Sequence, residues 1–342
     1  MKKLFIAILI SAIAGTTANA QLEIDNLLEG GIENANVLVG GYLDPAFAGL
    51  GYALNAGWYN TARPHKLLGI DFTFGVNMAM VPNSAKFFKV AETATMTIGN
   101  PENPNSPLYG NNKVPTMFGP NLSADDIPYL EFNQGTPEIS DDVRITAPTG
   151  MGIDEELPFL AVPAPFAQVG IGLIKNTEIK MRLPIKVNTG DASFSMFGLG
   201  VMHDVKQWIP GIKNLPFDLS GFFGFNKLAA SVVVDEDLGQ EANFEVGGTT
   251  LQGVISKKLA VLTVYSGLGF TTSKTTFKLK GDYSNVLPAG ESSIDPINLT
   301  SNNGGAKFNV GARLKLLILT LHAEYSFQQY NTFTAGVGLS IR

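Results

Sequence analysis

The side chains able to do chemistry are few, and their spacing narrows what chemistry is open. The 342 residues contain no cysteine, which removes a thiolate nucleophile, a disulfide framework and thiolate metal sites together. The three histidines are His65, His203 and His322. His322, Glu324 and Ser326 stand two residues apart, so on a strand they share one face. Imidazole, carboxylate and hydroxyl side by side are the parts of a hydrolytic triad. They also make a hydrogen-bonded cluster inside a barrel, and that is the reading adopted. No G-x-S-x-G, Walker loop or zinc spacing accompanies them, so no enzyme activity and no cofactor is expected. His203-Asp204 reads as a pair at a strand end, near an interface.

A second group is acidic. Asp125, Asp126, Asp141, Asp142 and the run Asp154-Glu155-Glu156 fall within residues 98–160, where ten acidic residues meet only Lys113 and Arg144 and nine of the nineteen prolines collect. Carboxylates can hold a hard cation such as Ca²⁺. Their spacing here matches no defined loop, so the segment reads as a solvated acidic loop without a metal. The formal charge of the whole chain is −6, and no basic surface for nucleic acid is present.

The third group is basic. Lys180, Arg182, Lys186, Lys278, Lys280, Lys307, Arg313 and Lys315 occupy the polar faces of alternating segments. Glu178, Asp282 and Glu324 supply partial counter-charge, and His322 joins them. Rings of Lys or Arg line anion pores, so one reading is a basic lumen wall. The other, which we favour, is a closed lumen filled by paired charges and by the N-terminal segment.

Those faces need strands to carry them. Residues 307–315, 317–328 and 333–341 alternate apolar and polar side chains, giving a sheet with one oily and one wet side. Residues 68–80 do so over thirteen positions, longer than a soluble strand and close to the 9–11 residues that cross a membrane. Further signals lie at 50–61, 85–97, 166–173, 178–187, 194–205, 217–225, 228–234, 242–247, 251–257, 260–271 and 275–283. Residues 206–216 set Trp208 among lysines and prolines, as a headgroup-level segment would. Residues 27–42 have helical spacing, with Asp25 as N-cap and Asp44-Pro45 as stop.

At the N-terminus, Lys2-Lys3, an apolar stretch at 4–14 and Ala18-Asn19-Ala20 form a secretory signal peptide. Past it no apolar run is long enough for a membrane helix, yet hydrophobic residues make up 45% of the chain and charged ones 16%. Only a closed barrel otherwise satisfies the backbone in lipid. The expectation is therefore all-β: an antiparallel up-and-down transmembrane barrel of about 14 strands in the outer membrane of a diderm bacterium. Residues 1–20 are the signal peptide, 21–47 a helical segment and plug, and 48–342 the barrel, with 98–160 as an extracellular loop and the C-terminal end periplasmic.

Residues 176–187, 203–212, 215–218, 309–315, Tyr325, 330–333 and 336–338 resemble an uncharacterised family of exported barrel proteins. The resemblance extends to 27–31 and 58–62 and brings no established activity with it. At the level of architecture the chain is similar to the long-chain fatty-acid transporter superfamily, whose fourteen-stranded barrels hold an N-terminal hatch; Asp44-Pro45-Ala46 partly echoes its Asn-Pro-Ala pattern. That similarity implies a plugged lumen and a hydrophobic solute. The function expected is a channel or transporter for a small hydrophobic or anionic solute, with outer-membrane lipid around it. The alternatives are a structural or assembly barrel docking another envelope protein and, more remotely, a membrane hydrolase.

Overall fold

The alternating segments close into a barrel of ten antiparallel strands. In the computed structural model the described residues are 28, 30–132, 143–153, 160–284, 287 and 294–341. The signal-peptide segment, Asp141, Asp142, Asp154, Glu155, Glu156 and Arg342 lie outside them. The strands are β1 (Ile70–Met80), β2 (Ala161–Leu173), β3 (Thr177–Asn188), β4 (Ala192–Asp204), β5 (Asp218–Asp235), β6 (Gln240–Leu259), β7 (Leu262–Lys280), β8 (Ile297–Leu316), β9 (Leu319–Phe327) and β10 (Thr332–Ile341). Each pairs with its chain neighbour, and β1 closes the ring on β10 with Ile70 opposite Ile341.

Ten replaces the fourteen expected, and the reason is physical. The strand signals at 217–225 and 228–234, at 242–247 and 251–257, and at 260–271 and 275–283 are halves of single strands, β5, β6 and β7. Partway along β6, β7 and β8 the polarity of the two faces exchanges. On β7 the outward residues run Leu262, Val264, Leu268, Phe270 and then Thr272, Lys274, Lys278, Lys280, all exposed. The inward residues run Thr263, Thr271, Ser273 and then Phe277, Leu279, all buried. The exchange falls at one level, because Leu251, Phe270 and Ala306 are paired across three strands, as are Thr249, Thr272 and Gly304 just beyond. Below it the wall is oily outside and polar inside, as lipid and a polar filling require. Above it the wall is polar outside and oily inside, as water and an apolar core require. From Leu262 to Phe270 the oily outward band of β7 covers about the 9–11 residues a tilted strand needs to cross a bilayer.

The helix α1 (Ile32–Leu54) passes through Pro45 and ends seven residues beyond the expected boundary at 47. It therefore takes over the start of the strand expected at 50–61. Every residue from Phe47 to Leu54 is buried, so no period separates an inner from an outer face there. Three of its glycines are close-approach points: a Cβ on Gly41 would meet the Phe88 ring, on Gly49 the Val162 side chain and on Gly51 the Ser273 side chain. A helix with a glycine cost of about 1 kcal/mol each is thus accommodated by walls that leave no room for a side chain. After Leu54 the chain continues through the lumen as non-helical backbone to β1.

The described residues between β1 and β2, 81–132, 143–153 and 160, do not form a plain loop. Phe87–Lys89 pairs with Lys113–Pro115, and Met96–Ile98 pairs with Tyr129–Phe132, which pairs with Val143–Thr146. The segment expected as a barrel strand at 85–97 therefore belongs to this insert. The insert covers the long-loop end, and its Val90, Met96, Leu130 and Phe132 join Leu38 and Val39 of α1 and Phe277 and Ile297 of the barrel in one apolar core.

Candidate functional site

The polar faces meet at the waist of the barrel, around the end of α1. A helix leaves its last carbonyls unpaired and carries negative partial charge there. No basic residue stands in the last turn of α1; the wall supplies the cations. Arg182 on β3, fully buried, donates to the carbonyls of Leu54 and Ala56. Lys307 on β8 donates to Asn55 O at 3.1 Å. Asn77 reaches Ala56 O at 3.1 Å, Gln168 reaches Trp58 O at 3.0 Å and Ser220 reaches Ala62 O at 2.6 Å. In the other direction, Tyr59 donates its hydroxyl to Asn309 at 2.9 Å and the Ala62 amide to Ser256 Oγ at 3.0 Å. Residues 54–62 are thus held on all sides by side chains of the wall.

Trp58 sets the fit. Its ring lies 4.1 Å beneath the Arg182 guanidinium and 5.6 Å from the ring of Phe222. The positions it covers on the wall are Gly198, Gly200 and Gly224, where an added Cβ would come to within 3.0, 3.2 and 2.9 Å of the indole. The interior of β4 and β5 is therefore hollowed to the shape of one plug side chain. Lower down, His65 fastens the segment leading into β1. Its Nδ1 and its backbone amide both meet Glu178 Oε2 at 3.0 Å, and its Nε2 meets Ser340 Oγ at 2.9 Å. Lys180 pairs with the other oxygen of Glu178 at 2.5 Å.

Of the ten residues the sequence reading places in the lumen, Lys180, Arg182, Lys307, Arg313, His322 and Glu324 are buried there. Lys315, partly buried at the short-turn end, donates to Ser340 O at 2.8 Å. Lys186, Lys278 and Lys280 instead face outward, which corrects the reading. A bulge between Arg182 and Ile185 turns Lys186 out, and Lys278 and Lys280 stand beyond the level at which the faces of β7 exchange polarity.

Ser326 donates to Glu324 at 3.1 Å, while His322 Nδ1 has no protein partner and its ring fills the space over Gly336. The carboxylate therefore holds the hydroxyl and not the imidazole, opposite to the order that activates a nucleophile. His203 accepts from Trp208 Nε1 at 2.9 Å, so its Nδ1 carries the proton facing Thr177 Oγ1 at 2.8 Å. In the insert, Asp126 accepts from Asn103 and Ser123, each at 2.7 Å, and these two bonds hold its carboxyl below the usual aspartate range. Among the described residues no group of three His, Asp or Glu converges as a metal site would.

The model of a family of unknown function, DUF6588, matches residues 1–341. The chain belongs to that family. No curated protein matches it. Among solved structures, this DUF6588 chain is similar to Ail, the attachment invasion locus protein of Yersinia pestis, at 11% identity and a TM-score of 0.28, over 48% of this chain and 95% of that one. It is similar to the translocator domain of the autotransporter NalP of Neisseria meningitidis at 12% identity and a TM-score of 0.31, over 81% and 90%. It is similar to the Pseudomonas putida toluene transporter TodX at 7% identity and a TM-score of 0.23, over 80% and 68%. At these values the likeness carries no function across.

The residues that sequence reasoning passes over are Trp58, Asn55, Asn226, Asn309 and the His65–Glu178 pair. One signal did point to them. Inward glycines alternating with outward Phe197, Leu199 and Val201 leave a hollow that some other part of the chain has to fill.

Proposed function

We propose that this protein is an outer-membrane conduit held shut by its own N-terminal plug, which passes a small anionic solute when the plug shifts. The observation that carries the reading is the use made of Arg182 and Lys307. Two fully buried cations at the waist are occupied by carbonyl oxygens at the negative end of α1. An anion offers them the same partner chemistry, so plug and solute compete for one pair of groups. The buried charges of the described chain are Lys180, Arg182, Lys307 and Arg313 against Asp71, Glu178 and Glu324, a balance that favours an anion once the plug has moved. The carbonyl caps support displacement, since water can take the place of each hydrogen bond, while the packing of Trp58 and Tyr59 on Phe222 is the apolar contact that a shift must break.

The test is conductance in planar bilayers of the Ala62→Cys/Ser256→Cys protein, whose two positions already touch through a hydrogen bond. Reduced protein is expected to open intermittently, with a reversal potential in a KCl gradient that reports anion preference. Oxidised protein is expected to stay shut. Silence of the reduced protein and of a variant lacking residues 21–64 would overturn the reading. A second reading, a barrel that docks another envelope protein, draws on the apolar core shared by insert, helix and barrel, which makes the long-loop end a rigid platform.

A further inference from the structure

Beyond the level at which the wall exchanges polarity, the outward faces of β5 to β8 carry an ordered set of side chains. The pairing places Lys227, Gly247, Lys274 and Asn302 in one row across four strands. Gly247 has open space where a side chain would stand. Two lysines therefore flank a bare position, with their strands roughly 10 Å apart, twice the spacing between neighbours. Two rows further out Asn243, Lys278 and Asn298 are aligned, and then Glu241 and Lys280. Hydroxyl and amide groups fill the remaining outward positions: Thr249 and Thr272, bonded to each other at 2.8 Å, then Thr276 and Thr300. The acidic groups on this face are Glu241 and Glu245, the latter 3.2 Å from Lys227. Immediately below lies the oily band, with Phe223, Leu251 and Phe270 aligned and at least half exposed.

We infer that this face binds a phosphorylated glycolipid of the outward leaflet, with acyl chains on Phe223, Leu251 and Phe270, one phosphate between Lys227 and Lys274 over Gly247, and a second at Lys278 and Lys280. Lysine is a flexible point charge that can reach down to a headgroup from just above it. Thr276 and Thr300 between the two lysine levels, and Asn243, Asn298 and Asn302 beside the lysines, match sugar hydroxyls, which a simple phospholipid headgroup does not supply in number. The inference rests on the apolar band lying in the bilayer with the long-loop end outward, and it is independent of how the plug behaves.

The full chain, folded in detergent, is titrated with a diphosphorylated acyl disaccharide and separately with phosphatidylglycerol, and bound lipid is counted by native mass spectrometry. The glycolipid is expected to bind more tightly than phosphatidylglycerol. Lys274→Gln/Lys278→Gln is expected to weaken it roughly thirtyfold, from two lysines at an anionic surface. Gly247→Phe, which adds a ring in open space, is expected to weaken it with the barrel intact. Lys257→Gln/Lys258→Gln, at the opposite end of β6, is expected to change nothing. Equal binding of phosphatidylglycerol, an unchanged affinity in the Lys274/Lys278 variant, or an equal loss in the Lys257/Lys258 variant would each overturn the inference.

Discussion

Replacing Arg182 by Met tests whether the plug is held by its carbonyl caps. The guanidinium serves Leu54 O, Ala56 O and, at 3.0 Å, Asn226 Oδ1, and it lies over the rings of Trp58 and Phe166. Ala56 O keeps a donor in Asn77 and Asn55 O keeps Lys307, so the substitution strands Leu54 O alone among the carbonyls. An orphaned buried acceptor costs about 1–3 kcal/mol, and losing the contact with Trp58 costs about 1–2 kcal/mol. The desolvation relieved by removing a buried charge offsets part of this, leaving a loss of about 3 kcal/mol. That shifts the ratio of displaced to seated plug about a hundredfold, while the strand ladder of the barrel is untouched. Because the chain has no native cysteine, Ala56→Cys gives a single label site that the seated plug buries. Its labelling rate is expected to rise about a hundredfold in the Arg182→Met background, with more frequent bilayer openings. Arg182→Lys, which keeps one charged donor, is expected to recover part of the difference. Unchanged labelling and unchanged conductance in Arg182→Met would show that the carbonyl caps do not hold the plug.

Other perturbations separate the parts of the design. Gly200→Val would place a Cβ 2.9 Å from the Phe222 ring and 3.2 Å from Trp58, and overpacking of this kind costs about 1–3 kcal/mol. In a Trp208→Phe background the remaining indole is expected to shift its emission to the red as it leaves its hollow. Phe277→Asp puts a carboxylate into the apolar core above the membrane level and is expected to destabilise that end by more than about 3 kcal/mol. Lys278→Asp, one residue on and facing water, is expected to stay within about 0.5 kcal/mol in thermal unfolding. Asp126 is held below the usual aspartate range by Ser123 and Asn103, so its contribution is present above that range and is lost only as pH falls through the lowered value. Hydrogen exchange at residues 103–108 is therefore expected to stay slow through ordinary aspartate titration and to quicken at neutral pH in Asp126→Asn.

The barrel was legible in the sequence because lipid and a polar filling impose opposite demands on alternate residues, and β9, β10 and the lower half of β8 obey them without interruption. Strand number was harder to read because β5, β6 and β7 are longer than the membrane is thick. Where they leave it the demands reverse, and an uninterrupted strand looks like two. The sequence pattern points Lys278 and Lys280 to the lumen for the same reason: the alternation is right and the sides are exchanged. The end of α1 was hidden by burial on all sides, which erases any period from residues 47–54. Lys180, Arg182, Lys307 and Arg313 could be placed from their strand faces alone. The partners of Arg182 and Lys307 could not, because those are backbone carbonyls of a distant segment, and a carbonyl has no residue type to read.

The ring closes where β1 meets β10, and the plug is the chain that leads into β1. The last seam therefore closes around the segment from α1 to His65, which lies within the curl of the sheet. The first segment is in effect the mandrel around which the sheet is wound. Its glycine-lined hollow and carbonyl caps then act during assembly, selecting which curvature of the sheet can close. Contacts between Trp58 and strands more than a hundred residues later are of the non-local kind that slows folding, so the rate at which the barrel forms is a property of the plug as well as of the wall.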